Sequence, residues 1–207
     1  MRGLDRLDHR VTRQAASYLL AYPDQALLGR VPTIRAALAE QRVTSMDAFL
    51  DDLESRSLRE LERRYVDVFD LSKRHALYLS YWTDGDTRRR GEVLAGFKAA
   101  YRACGFVVDT SGELPDYLPM VLEFAAVADP VAGETLLREY RPSLELLRIG
   151  LEEDRTPYAD VVAAVCATLP GPSPKDRAAV QAMVDSAPPT ETVGLELVQL
   201  GPIGGYR

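Results

Sequence analysis

Apolar residues in this chain recur every three or four positions along most of its length, and that spacing limits the fold more than any other feature. Val11, Ala15, Tyr18, Leu19 and Tyr22 mark one face of a first helix, which Pro23 ends. Pro32 suits the first residue of a second helix, with Ile34 and Leu38 on its inner face. Ser45 is placed to cap a short helix carrying Phe49, Leu50 and Leu53. Ser57-Leu58-Arg59-Glu60 reads as a capping box, and Leu58, Leu61, Tyr65, Val68 and Phe69 follow as an apolar stripe.

The pattern breaks over 72–86, which is crowded with Tyr78, Tyr81 and Trp82 and ends in the turn-like Thr83-Asp84-Gly85-Asp86. A helix resumes through Val93, Leu94, Phe97, Tyr101 and Cys104 and closes at Gly105. Residues 106–112 form a loop whose Phe106-Val107-Val108 is too short for a sheet. Leu114-Pro115 is expected to open the next helix, and Asp129-Pro130 a long one that Pro142 kinks or splits. Pro157 and Ser173-Pro174 start the last two. The expected architecture is therefore all-α: a single-domain helical bundle of roughly nine helices over 1–186. The tail over 187–207, with Pro188-Pro189 and Gly201, Gly204 and Gly205, reads as extended or disordered, and Val193 to Leu200 as free to pair with something.

Composition bears on function mainly by exclusion. Among 207 residues 46% are hydrophobic and 27% charged, enough for a substantial core. A net charge of -6 and a pI near 5.1 speak against nucleic acid and against a polybasic membrane surface. The charged start Met1-Arg2-Gly3-Leu4-Asp5-Arg6 is unlike a signal peptide, and no run approaches the ~20 apolar residues of a membrane span. The chain is therefore expected in the cytoplasm, with no stable membrane association. Cys104 and Cys166, in apolar surroundings without CxxC spacing, read as reduced thiols.

Sites of chemistry are sparse. His9 and His75 make no zinc cluster with the cysteines, Glu-x-x-His pairs are absent, and no phosphate-cradling glycine loop occurs. No metal or cofactor is expected. The best enzymatic alternative is helical acid/base catalysis by Asp67, Asp70, Asp116 or Glu123, spaced so that pairs share helix faces. A direct carrier of a nucleotide would need a phosphate cradle. Between Arg102 and Arg138 lie six carboxylates (Asp109, Glu113, Asp116, Glu123, Asp129, Glu134) and no Lys or Arg. Some of that charge suits helix N-termini. The functional alternative is an acidic rim on an apolar groove, suited to a basic amphipathic peptide.

A set of residues within and before this region has a recognisable order. Phe69-Asp70, Leu77-Tyr78-Leu79-x-Tyr81, Gly85-Asp86, Arg90-Gly91-x-x-Leu94 and Tyr101 lead to Gly105. Glu113-Leu114-Pro115-Asp116-Tyr117-Leu118-Pro119 and Leu122-Glu123 follow. This order resembles the NarJ family, cytoplasmic assembly chaperones of the molybdenum-containing respiratory nitrate reductase within the wider class of redox-enzyme maturation proteins. The resemblance covers residues 10–170 and is densest over 65–125. The wider class often has His where this chain has Tyr117, which points to the nitrate reductase branch.

The resemblance implies an all-helical protein without catalytic activity. It implies a groove for the N-terminal segment of the catalytic (alpha) subunit, held while molybdopterin guanine dinucleotide and iron–sulfur clusters enter that subunit. On the positions that match, it makes Glu113, Pro115, Asp116, Tyr117, Pro119 and Glu123, with Tyr78, Tyr81 and Arg90, the candidate peptide-binding residues. Asp116 and Glu123 would sit at the rim. Phe69, Tyr78 and Tyr81 have a competing reading as core, and Gly85-Asp86 as a turn and cap.

Overall fold

A computed structural model describes residues 8–84, 89–105 and 112–185. The expected tail, most of the loop over 106–112 and the Gly85-Asp86 turn lie outside the described residues. Among the described residues there are helices and no strand ladder, only an isolated bridge between Tyr78 and Tyr117. The helices are α1 (His9–Leu19), α2 (Gln25–Glu40), α3 (Asp47–Glu54), α4 (Leu58–Tyr65), α5 (Tyr81–Asp84) and α6 (Arg89–Ala103). They continue with α7 (Leu118–Glu123), α8 (Pro130–Glu139), α9 (Arg141–Glu153), α10 (Tyr158–Ala167) and α11 (Arg177–Asp185). The all-α reading holds.

α1 lies at the centre, packed against α2, α7 and α10. Ala15, Ala16 and Leu19 face this core. Arg13, only 2% exposed, reaches Thr168 and Glu134, and the Ser17 hydroxyl donates to the Pro119 carbonyl at 2.8 Å. At the far end, α9 buries Leu144, Leu147 and Leu151 against α10 and α11. A buried leucine contributes roughly 1.5–3 kcal/mol, so each of these positions is a substantial source of stability.

Several boundaries follow the sequence and several do not. Pro142 does split the long helix, entering the first turn of α9, where a missing N–H costs nothing. Glu60 reaches back to the Ser57 N–H at 2.8 Å, as a capping box requires. Pro32, however, lies inside α2: Asp24 caps that helix eight residues earlier by accepting from Leu27 N–H at 2.7 Å. The exposed side of α2 tolerates the lost bond. Ser45 does not cap α3, whose N-cap is the buried Met46. α11 begins at Arg177, three residues after Pro174, where Asp176 accepts from the Ala179 N–H at 2.8 Å as its cap. Leu114-Pro115 opens no helix; α7 starts at Leu118 with Pro119 in its first turn. α4 and α7 both widen into a π-turn, at Val66–Asp70 and Phe124–Ala128.

Candidate peptide-binding face

The bridge between 77–79 and 116–118 organises the site. Leu79 N–H donates to the Asp116 carbonyl at 3.1 Å and Leu118 N–H to the Leu77 carbonyl at 2.7 Å. Extended chains send alternate side chains to opposite sides. Leu77, Leu79, Asp116 and Leu118 therefore go inward, and all four are buried. Tyr78 and Tyr117 go outward together, their rings 5.6 Å apart and tilted by 40°.

The outward pair is tied into a polar chain. Tyr78 donates to exposed Glu113 at 2.6 Å. Tyr65 donates to the Leu20 carbonyl at 3.2 Å, which commits its single proton, so Tyr117 donates to the Tyr65 oxygen at 3.0 Å. Half-exposed Tyr22 sets its ring edge-on to Tyr65 at 5.3 Å. Burial, with Glu113 and Asp70 adding negative charge, pushes the Tyr117 phenol up to about 12. Burial and the hydrogen bond to Glu113 push Tyr78 upward as well. Both phenols therefore keep their protons at neutral pH. Exposed Glu113 brings its carboxylate to the surface of this face.

The candidate residues separate into three groups. Tyr78, Glu113 and Tyr117 converge on this face, and Arg90 joins them, its guanidinium 6.0 Å from the Tyr78 ring centre. Asp116 is not at a rim: it has no exposed surface, and its Oδ2 accepts from the Ser80 N–H at 3.0 Å and the Ser80 hydroxyl at 2.6 Å. Its Oδ1 is buried with no hydrogen-bond partner among the described residues. Pro115 and Pro119 are buried scaffold, their carbonyls taken by Tyr101 and Ser17. Tyr81 packs on Trp82 at 6.1 Å and on the core, and Glu123 stands exposed on α7. Phe69 is core.

The acidic stretch also divides. Asp129 caps α8 through Val131 and Ala132 N–H, and Glu134 pairs with Arg13 and Arg138. Asp109 lies outside the described residues. Glu113 and Glu123 remain as its exposed charges. Asp67 and Asp70 are exposed on the π-turn after α4, with Arg63 at 3.9 Å from Asp67. With Asp116 sealed and the other three exposed, the four carboxylates of the acid/base alternative line no common opening. His75 is satisfied structure, its ring nitrogens 3.0 Å from the Val68 carbonyl and 3.2 Å from the Gly150 carbonyl. Among the described residues no His/Cys/Asp/Glu group could hold a metal, and no helix is long and apolar enough to cross a membrane.

The family model for the nitrate reductase delta subunit matches residues 34–164 of this chain. The chain belongs to that family. The nitrate reductase-like protein NarX of Mycobacterium tuberculosis is 45% identical over 166 residues, which are 76% of this chain and 24% of that protein. The chain thus spans about a quarter of that relative's length. The probable nitrate reductase molybdenum cofactor assembly chaperone NarJ of Bacillus subtilis is 33% identical over 170 residues, covering 80% of this chain and 92% of NarJ. Escherichia coli NarJ is 30% identical over 149 residues, 69% of this chain and 63% of that one. A redox enzyme maturation protein from Archaeoglobus fulgidus superposes with a TM-score of 0.61 at 22% identity, covering 81% of this chain and 95% of that chain. That likeness shows a shared fold.

In this member of the delta subunit family, sequence reasoning missed Tyr22, Tyr65 and Ser80 as parts of the face. A signal for the first two was present: 10 tyrosines against 5 phenylalanines. Tyrosine in place of phenylalanine at half-buried positions suits groups that need one apolar side and one hydrogen-bonding tip. Ser80 carried no such signal.

Proposed function

We propose that this chain is an assembly chaperone for a molybdenum-containing respiratory nitrate reductase, acting in the cytoplasm. It holds the N-terminal segment of the catalytic subunit while the molybdenum cofactor is inserted. The family and the named function of the Bacillus and Escherichia relatives support the general role. The observation that carries the site is the outward Tyr78–Tyr117 pair beside Glu113.

The face suits a basic amphipathic segment. Aromatic rings provide large contact area at low conformational cost, and their hydroxyls orient the bound backbone. Glu113 and Asp70 draw a cationic segment in and favour one direction of docking, while apolar contact supplies most of the affinity. Asp116, Pro115 and Pro119 shape the face from beneath. Glu123 extends its charge along α7, and Tyr81 with Trp82 braces the loop that carries Tyr78. The cofactor belongs to the client, so the chaperone needs no metal ligands of its own.

The role is tested by metal analysis of the client. Catalytic subunit purified from cells lacking this chain is expected to hold less than about a tenth of the molybdenum found when the chain is restored. Full molybdenum occupancy without the chain would contradict the role.

A further inference from the structure

Two exposed acids near the tyrosine pair are each followed by an exposed leucine. Leu71 comes directly after Asp70 at the end of the first π-turn and is 75% exposed. Leu114 comes directly after Glu113 and is 38% exposed. An exposed leucine forgoes most of the free energy that burial would give it, so Leu71 does little for the fold.

The tyrosine layer sets these two acid–leucine pairs around one centre. Asp70 adds negative charge at Tyr65 and Tyr117, and Glu113 adds it at Tyr78 and Tyr117. Tyr65 meets Tyr117 at its hydroxyl, at 3.0 Å, while Tyr78 meets it at its ring, with centres 5.6 Å apart. Asp70 therefore belongs to the Tyr65 end of the row Tyr65–Tyr117–Tyr78, and Glu113 to the Tyr78 end. One cation placed at either end leaves the other acid unmatched. Charge complementarity over the whole row calls for a cation at each end, with an apolar group beside it. A short amphipathic helix supplies that arrangement, because residues three, four or seven apart share one face.

We propose that this face reads its client segment at two poles: Asp70 with Leu71 takes one basic and one apolar side chain, and Glu113 with Leu114 takes a second such pair. The proposal rests on the reading that this face receives the client, and it names what the segment must carry. Its consequence is selectivity. A segment with a single basic residue fills one pole and leaves the other acid without a partner, so it loses to a segment with two.

The test is calorimetry of the full chain with a catalytic-subunit N-terminal peptide and a series in which each of its basic residues in turn is replaced by glutamine. Two of the replacements are expected to weaken binding, each by about three- to tenfold. One of these losses is expected to vanish in Asp70→Asn and the other in Glu113→Gln, since a cation whose acid is gone has no contact left to lose. Leu71→Ser is expected to keep the wild-type urea midpoint and to bind the unaltered peptide about three- to tenfold more weakly. A single sensitive basic residue, or two losses that vanish in the same variant, overturns the two poles. So does undiminished binding by Asp70→Asn or by Leu71→Ser. If the peptide then still weakens in Tyr117→Ala, the docking face stands without the poles. No binding of the peptide by wild type removes the client from this face, and the poles with it.

Discussion

Two polar clusters in this molecule are built from similar residues and end differently. Around α9, Glu145 has no exposed surface and accepts from Arg148 at 2.8 Å, Arg141 at 3.4 Å and Ser173 at 2.8 Å. Arg148 goes on to Glu152 and the Pro174 carbonyl, and Arg141 to the carbonyls of Pro170, Gly171 and Pro172. The cluster straps 170–174 to α9, and one arm reaches the surface at exposed Glu152. The tyrosine cluster starts just as deep, at the Leu20 carbonyl, but runs outward through Tyr65 to Tyr117, and beside it Tyr78 ends on exposed Glu113. A polar network that ties a loop to a helix, with no aromatic ring beside its one exposed carboxylate, serves architecture. One that leaves acceptors at the surface beside aromatic rings is available to a partner.

Substitutions in the closed cluster should be the most damaging. Glu145→Ala leaves largely buried Arg141 with carbonyl partners alone and Arg148 with Glu152 as its remaining acid, and we expect a loss of about 3 kcal/mol in urea unfolding. A loss below about 1 kcal/mol would mean that the strap holds without its acid, and the contrast with the open face would weaken. Alkaline pH should strike the tyrosine layer. Burial raises Tyr158 to about 12, so the folded state keeps a proton there that the unfolded chain loses near 10. Its contribution is fully present below pH 10 and lost as pH rises from 10 to 12, on the order of 2–3 kcal/mol. Urea midpoints measured against pH, together with phenolate absorbance, will show whether ionisation and unfolding coincide.

The base of the open face should be intermediate. Asp116→Ala removes the acceptor for both Ser80 donors, at a cost of about 1–3 kcal/mol in thermal or urea unfolding. Asp116→Asn retains that acceptor, so it should cost clearly less. Equal losses for the two variants would place the role of Asp116 in its charge. Glu113→Gln should be the mildest for the fold, within about 0.5 kcal/mol, because Glu113 is exposed. Its effect should appear in client binding instead.

The helical frame was legible because repeated three- and four-residue spacing reports on a long element. The split at Pro142, the end at Gly105 and the Asp129 cap depend on single residues with few conformational options. The site was legible as a segment and misread in its detail. Read as a helix start, 113–119 puts Asp116 on a surface turn. Paired as a short extended segment with 77–79, it turns Asp116 inward and Tyr117 outward. Two segments some forty positions apart decide that alternation, and neither is long enough to show a period of two by itself. Glu134 likewise counted as acidic surface until the fold assigned it to Arg13.

Calorimetry of the catalytic-subunit N-terminal peptide against wild-type chain and a Tyr117→Ala, Glu113→Lys double variant, at low and at high salt, tests the open face as the docking site. A variant that still folds is expected to bind at least about tenfold more weakly. Wild-type binding should also fall with added salt more steeply than the variant's. Equal affinities and equal salt dependence in a folded variant would contradict that assignment.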